Sequence, residues 1–431
     1  MVQYMKLKKV FCLPIFLLLL SFSVIASFPI KAPKPENVRS QTYVYGVDAE
    51  HNYSSGYVSE WNYTADISSR ADQAHDVAID SNNNIIVVGI NRSAPLPDSS
   101  WLVTKLSPAG ILLWNYTYDG STSEDAAVSV AIDSEDNFVV AGYEWVTSND
   151  WQWTIMKFNE SNYKLWDVPY NPSLSDDRPQ AVAIDHDNNI MVVGYDRNSS
   201  LINDWDWRII KMSPNGILLW NKTYHFSDYN DQCMGLVIDS DNNIAVVGFD
   251  RNTSLPTDYS EWKLVKFSSN GTLLWDKTYN FSDFSDEAWN VAIDHDNNLI
   301  VVGFDRTRGQ HESQWRIMKI SANGTTIWNR TFKNLIGGTS TYPLHDYTRD
   351  VIVDFHNNIT VVGCYRLNDT SPGDNNNEWS IMKLGYDGLS LWNYTENFSP
   401  YDDKAVSIAI DSKDAIIVAG FDSSPGSLDL Q

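Results

Sequence analysis

Seven glycines, Gly89, Gly142, Gly194, Gly248, Gly303, Gly363 and Gly420, punctuate the chain at intervals of 53, 52, 54, 55, 60 and 57 residues. Each closes a copy of one phrase, seen at Asp231–Asp250 as DQCMGLVIDSDNNIAVVGFD. A repeat of that length, made of short β-type runs and turn residues, is one unit that cannot bury its faces alone. The copies must share one core, which overrides the two or three domains that 431 residues would otherwise suggest.

One unit reads as four strands, with the third copy as template. Ala181–Asp185 (AVAID) leads through an Asn-rich turn into Asn189–Tyr195 (NIMVVGY). A polar loop precedes Trp207–Met212 (WRIIKM), and Ser213-Pro214-Asn215-Gly216 turns the chain into Ile217–Tyr224 (ILLWNKTY). Asn and Gly at these turns supply the positive φ that tight hairpins need. The first strand carries Ala78, Ala131, Ala183, Ala292 and Ala409 at one position, which suits crowding near an axis. Tryptophans in the third and fourth strands suit a wider rim. The unbroken run IIVVG requires a strand covered on both faces.

These features predict an all-β, seven-bladed β-propeller of four-stranded antiparallel blades. The last copy stops after Phe421, two strands into its unit, while Tyr43–Asp48 and Tyr57–Thr64 near the N-terminus match an outer pair. The expectation is a ring closed by a composite blade drawn from both terminal segments, which leaves no open sheet edge. The phrase D-x-A-x-x-V-A-I-D-S-x-N-N-I-x-V-V-G resembles the bacterial and archaeal seven-bladed propeller repeat often labelled SBBP, over about Gln41 to Asp422. That resemblance implies an exported or cell-surface protein and no single activity. The phrase G-x-L-L-W-N is also similar to quinoprotein blades, without a separate cofactor constellation, so no cofactor is expected.

Residues 1–26 read as an export signal: Lys6, Lys8 and Lys9, the apolar run VFCLPIFLLLLSFSVIA, then small residues for cleavage. A retained N-terminal anchor is the alternative, although the run is short for a span. Residues 27–40 form a Pro- and Lys-containing linker, and 41–431 form the propeller. Loss of the signal removes three lysines, leaving 28 basic against 55 acidic side chains and a formal charge of −27. That balance argues against nucleic acid and suits a soluble extracellular monomer with no membrane span once the signal is cleaved. Sixteen N-x-S/T triplets agree with an extracytoplasmic, glycosylated surface. Cys233 and Cys364 fall in units that are not neighbours, so no bridge is expected between them.

Eight residues before the aspartate closing each first strand stands another acid: Asp72, Asp125, Asp177, Asp231, Asp286, Asp346 and Asp403. Twelve residues after the closing aspartate five copies carry Arg92, Arg197, Arg251, Arg306 and Arg366, with Trp145 and Ser423 in the other two places. Both positions fall at one end of a blade. They read either as a structural Asp–Arg corner or as a ring of carboxylates holding a cation or basic ligand; recurrence in every blade favours structure. Third-strand lysines, such as Lys105 and Lys211, should find the closing aspartates, such as Asp80 and Asp185, since a buried unpaired lysine costs several kcal/mol. Asp185-His186-Asp187-Asn188-Asn189 resembles the opening of a calcium loop but lacks its glycine and glutamate, so a polar turn explains it better and no metal site is expected.

What is not repeated points to a partner. An insertion, KNLIGGTSTYPLH, precedes Asp346, and the next loop at that end, LNDTSPGDNNNE, is also long. Tyr342, His345, Tyr347, Asp369 and Asp374 are the candidate binding residues there. Two function classes stand: a non-catalytic scaffold binding protein or glycan at this end, or an extracytoplasmic lyase, glycosidase or quinoprotein dehydrogenase. The second needs unrepeated acids or bases converging on the channel.

Overall fold

A computed structural model describes residues 42–47, 59–65, 72–92, 98–147, 150–173, 175–197, 205–227, 229–252, 259–306, 313–333, 346–366, 377–398 and 402–422. The expected signal at 1–26 and linker at 27–40 lie outside these residues. No helix among the described residues is long and apolar enough to cross a membrane.

The fold is an all-β propeller of four-stranded antiparallel blades. An N-terminal hairpin, β1 (Thr42–Val47) and β2 (Ser59–Ala65), precedes the first blade, β3 (Gln73–Ile79), β4 (Ile85–Asn91), β5 (Ser100–Leu106) and β6 (Leu112–Tyr118). The second is β7 (Ala126–Ile132), β8 (Phe138–Thr147), β9 (Asp150–Phe158) and β10 (Lys164–Tyr170). The third is β11 (Arg178–Ile184), β12 (Ile190–Arg197), β13 (Trp205–Met212) and β14 (Leu218–Tyr224). The fourth is β15 (Gln232–Ile238), β16 (Ile244–Asn252), β17 (Tyr259–Phe267) and β18 (Leu273–Tyr279). The fifth is β19 (Glu287–Ile293), β20 (Leu299–Asp305), β21 (Gln314–Ile320) and β22 (Thr326–Phe332). The sixth is β23 (Tyr347–Val353), β24 (Ile359–Arg366), β25 (Asn377–Leu384) and β26 (Ser390–Glu396).

The expectation of seven blades, the seventh a composite of both terminal segments, is corrected here to six complete blades, each made from one unbroken stretch. The last two strands, β27 (Asp403–Ile410) and β28 (Ile416–Asp422), have no outer pair of their own. The β1–β2 hairpin, a small two-stranded piece from the other end of the chain, lies against them instead. β1 runs antiparallel to β28 from Thr42–Phe421 to Val47–Ile416, giving the order β2-β1-β28-β27. The inner strands β3, β7, β11, β15, β19 and β23 touch in succession, and β27 packs between β23 and β3.

Burial follows the residue pattern. β4 and β20 are buried along their whole length, as IIVVG and LIVVG required, because a neighbouring blade covers each face. Each Val or Ile so buried contributes about 1.5–3 kcal/mol. Fourth strands alternate, as in β6 and β14, because one face meets water.

The recurring glycine is explained by close approach. A Cβ at Gly303 would stand 2.1 Å from the Glu287 carbonyl oxygen and 2.7 Å from the Trp262 ring of the preceding blade. Trp262 closes the contact by donating its indole N–H to the Phe304 carbonyl at 3.0 Å. Trp101, Trp207 and Trp315 bond the Tyr143, Phe249 and Cys364 carbonyls in the same way. The third-strand tryptophans expected at the rim are thus buried locks between blades.

The turn ending each inner strand is a second repeated device. In the first blade, Asp80 Oδ1 accepts the Asn82 and Asn84 amides and Oδ2 accepts the Asn84 side chain, while Asn83 takes a φ of 60°. The Asn83 side chain then ties the ring across the chain termini, accepting the Ser412 amide at 3.0 Å and donating to its hydroxyl at 2.8 Å.

Candidate functional site in the central channel

Six third-strand lysines reach the closing aspartates: Lys105–Asp80 at 3.0 Å, Lys157–Asp133 at 2.8 Å, Lys211–Asp185 at 2.7 Å, Lys266–Asp239 at 2.8 Å, Lys319–Asp294 at 2.7 Å and Lys383–Asp354 at 2.8 Å. Lys157 also donates to the Pro214 carbonyl and Lys211 to the Ser269 carbonyl, so each ties its own blade to the next blade's turn. Burial pushes the Asp133, Asp185, Asp239, Asp294 and Asp354 carboxyls up. Hydrogen bonds from lysine, asparagine and backbone amides outweigh it and hold them below the usual range. Asp185, the head of the calcium-like phrase, spends its oxygens on the turn and Lys211.

The acids at the other end of the inner strands are buried as well: Asp72, Asp125, Asp177, Asp231, Asp286, Asp346 and Asp403. Asp231 accepts the Phe226 and Ser227 amides and the Ser227 hydroxyl. It also meets the arginine position, but through the Arg251 backbone amide at 3.2 Å. Asp72, Asp177 and Asp286 bond the Arg92, Arg197 and Arg306 amides likewise. Asp125 does the same with Trp145 at 3.1 Å, so the bond needs no guanidinium. The Arg366 side chain is outside the described residues. Burial pushes Asp177 up to about 7 and Asp231 and Asp286 up to about 6, against the hydrogen bonds each accepts.

Between these two layers each inner strand carries a β-bulge at the same place. In β3 the register shifts between Ala74 and Asp76, leaving His75 as the extra residue. The bulged residues of the next strands are Val128, Gln180 and Met234. Trp289, Arg349 and Val406 follow in β19, β23 and β27. A bulge bends its strand and re-aims a side chain. All seven of these residues line one cavity of about 330 Å³ in the channel, with Tyr143, Tyr195 and Arg178.

The residues after the bulges form a waist, Asp76, Ser129, Ala181, Gly235, Asn290, Asp350 and Ser407, and all but Gly235 line the same cavity. The bulge frees backbone amides, and the side chain of a neighbouring blade takes several of them. Asp76 Oδ2 accepts the Val130 amide at 2.8 Å, and Asp350 Oδ2 accepts the Ile408 amide at 2.9 Å. A polar arc runs through five of the seven positions. Asn290 donates to Asp350 at 2.6 Å and Ser129 to Asp76 at 2.7 Å. Between the two acids, Ser407 Oγ lies 2.7 Å from Asp76 Oδ1 and 2.8 Å from Asp350 Oδ2. A hydroxyl has one proton, so it can donate to only one carboxylate and must accept from the other. One of the two acids is therefore protonated in this geometry. Burial, with Asp76 beside it, pushes Asp350 up to about 7, and burial raises Asp76 too.

His75 adds a second polar group. Its Nδ1 lies 2.8 Å from the Ala127 carbonyl, which can only accept, so Nδ1 carries the proton. Burial lowers its pKa, against the hydrogen bond to Ala127. Arg178 is held by Asp176 at 2.9 Å and lies over Tyr143 and Trp151.

Of the five expected binding residues, Tyr342, His345, Asp369 and Asp374 lie outside the described residues. Tyr347 opens β23, two residues before Arg349. Its ring meets Phe304 edge-on at 5.0 Å, and its hydroxyl bonds Ser313 and Arg306. The channel pair was missed in the sequence because it fills the two variable places of D-x-A-x-x-V. Read down the copies, those places give HD, VS, QA, MG, WN, RD and VS. Variation inside a near-invariant phrase was the available signal. Cys233 and Cys364 are buried and free, as their separation required.

No protein-family model and no curated protein matches the sequence. Among solved structures, the chain is similar to a protein from Lactobacillus plantarum at 13% identity, over 88% of this chain and 99% of that one, with a TM-score of 0.46. It is also similar to a glucose dehydrogenase at 9% identity, over 73% and 96% of the two chains, with a TM-score of 0.43. A gluconolactonase from Xanthomonas campestris matches at 10% identity, over 66% and 90%, with a TM-score of 0.32. None of these likenesses carries an activity to the present chain.

Proposed function

We propose that the protein is a non-catalytic binding propeller, exported or held at the cell surface, that takes a small ligand in the channel cavity. The supporting observation is the lining: unrepeated side chains converge there, while the acids among them are fully engaged. Asp76 accepts hydrogen bonds from Val77, Val130, Ser129 and Ser407. Asp350 is met by Val351, Ile408, Asn290 and Ser407. A general base needs a free lone pair toward substrate, and neither acid keeps one. A second reading is protein or glycan capture through the loops at 334–345 and 367–376, which lie outside the described residues; their length in the sequence supports it. The apolar start at 10–26 supports export. The exposed sequon residues Asn115, Asn221 and Asn393 support a glycosylated rim, whereas Asn91 is buried and is not an acceptor in the folded chain.

A thermal-shift panel of small carboxylic acids, sugars and peptides tests the placement, run on the wild type and on Ala181→Phe, which fills the cavity from β11. A ligand that stabilises the first and not the second supports the reading. A ligand held equally by both places the site elsewhere.

A further inference from the structure

One cation in the cavity wall, Arg349, makes no ion pair among the described residues. Arg349 is the bulged residue of β23, and its guanidinium lies 4.0 Å over the Trp289 ring. Its Nε is buried without a hydrogen-bond partner. Among the described residues no acid makes an ion pair with it at contact distance. A guanidinium carries five donors, and buried charges are normally paired. The acid whose charge acts on it is Glu287, and that one carboxyl also sits in the field of Arg251 and Arg306. Asp76 and Asp350 also line the cavity, but their oxygens are taken by the hydrogen bonds of the waist.

The rest of the lining narrows the ligand. Val128, Val406 and Met234 offer apolar surface, and Tyr143, Tyr195 and Trp289 offer aromatic faces. A bare inorganic ion would leave that surface wet, whereas an organic anion fills it. Arg178 adds a second guanidinium to the lining, but Asp176 already holds it. Arg349 is therefore the anchor.

We infer that the channel cavity is a site for a small organic anion, a carboxylate or a phosphate ester, whose charged group is held by the Arg349 guanidinium while its apolar part rests among the tyrosines and valines. This rests on the binding reading above and names its ligand class. Arg349 supplies a planar fork that matches either oxyanion, and Trp289 behind it fixes the plane of the fork.

The test is calorimetric titration of the purified chain with benzoate, phenyl phosphate and the neutral isostere benzamide, on wild type, Arg349→Gln and Arg349→Lys. The expected result is that at least one anion binds the wild type and benzamide does not. Arg349→Gln should weaken that anion by roughly 10- to 100-fold, the loss of a charge-assisted hydrogen bond. Arg349→Lys should fall between, because it keeps the charge and loses the fork. Unliganded Arg349→Gln should melt close to wild type, since it removes a half-buried charge with no ion pair and gives up only the contact with Trp289. Benzamide bound as tightly as either anion overturns the anion assignment and leaves the cavity a binding site. No binding of any of the three overturns both readings. A sharp drop in the melting temperature of unliganded Arg349→Gln, with anion affinity unchanged, makes Arg349 part of the frame and also overturns the inference.

Discussion

Along the same inner strands, two layers five residues apart are built on opposite principles. At the closing turn, six blades repeat one lysine–aspartate contact, from Lys105–Asp80 to Lys383–Asp354. At the bulge and the residue after it, no two neighbouring blades carry the same pair. The turn layer repeats the same two contacts at each step, lysine to the aspartate of its own blade and to a carbonyl of the next blade's turn, as at Lys157 and Lys211. The bulge layer is satisfied only around the ring: Asn290, Asp350, Ser407, Asp76 and Ser129 bond across blades, and the arc ends where Ala181 and Gly235 offer no polar side chain. Recurrence marks the frame, and departure from it marks the interior surface a ligand would meet.

The strongest way to break the distinction is to strike the frame and look for an effect on binding. Lys266→Met leaves Asp239 buried beside no cation and should destabilise the protein by about 3 kcal/mol, read by urea unfolding. Anion affinity should not change, because the turn layer does not border the cavity. Gly303→Ala forces a methyl against the Glu287 carbonyl and Trp262 and should cost roughly 1–3 kcal/mol, as overpacking does. A neutral outcome for Gly303→Ala would mean that the blade interface yields more than its contacts suggest. Ser407→Ala sharpens the comparison from the other side. It removes the hydroxyl between Asp76 and Asp350 and should cost about 1–2 kcal/mol.

The smallest effect is the most diagnostic, because the two layers should respond to pH with opposite signs. Asp350, pushed up to about 7, and Asp76, also raised by burial, bind a proton more tightly in the folded chain than in the unfolded one. Their contribution is complete below the ordinary carboxylate range and is lost as pH rises toward 7. The turn aspartates, such as Asp185 and Asp294, are held below the usual range, so theirs is present above it and lost as pH falls through the folded value. Unfolding free energy should therefore rise as pH is lowered from 7 toward 4, by at most about 1.4 kcal/mol per pH unit for each raised group. Below that it should turn over. Asp350→Asn should flatten the first arm and leave the second. A wild-type profile that falls steadily from pH 7 to pH 4 would contradict the sign given to the waist.

Much of the frame was legible because it is repeated. IIVVG announced strands covered on both faces, the lysines announced their aspartates, and Asn-rich turns announced positive φ. Two readings went astray for the same reason. Arginine twelve residues after the closing aspartate suggested a guanidinium–carboxylate corner, yet the acid takes the backbone amide, and Trp145 in the same place was the clue. Seven copies of the phrase suggested seven blades, the last completed from both ends of the chain, but only six are complete, and the seventh copy keeps two strands of its own beside a small N-terminal hairpin. The bulge was not legible at all, since it sits at the same step of every copy and leaves the repeat length unchanged.

The central claim is that repeated residues hold the ring while unrepeated ones at the bulges hold a ligand. Titrating benzoate and phenyl phosphate into Arg349→Gln and Lys266→Met side by side, with the melting temperature of each, tests it most directly. The account predicts that Arg349→Gln loses the anion and keeps its melting temperature, while Lys266→Met keeps the anion and melts lower. Equal loss of affinity in both, or loss in Lys266→Met alone, would contradict it.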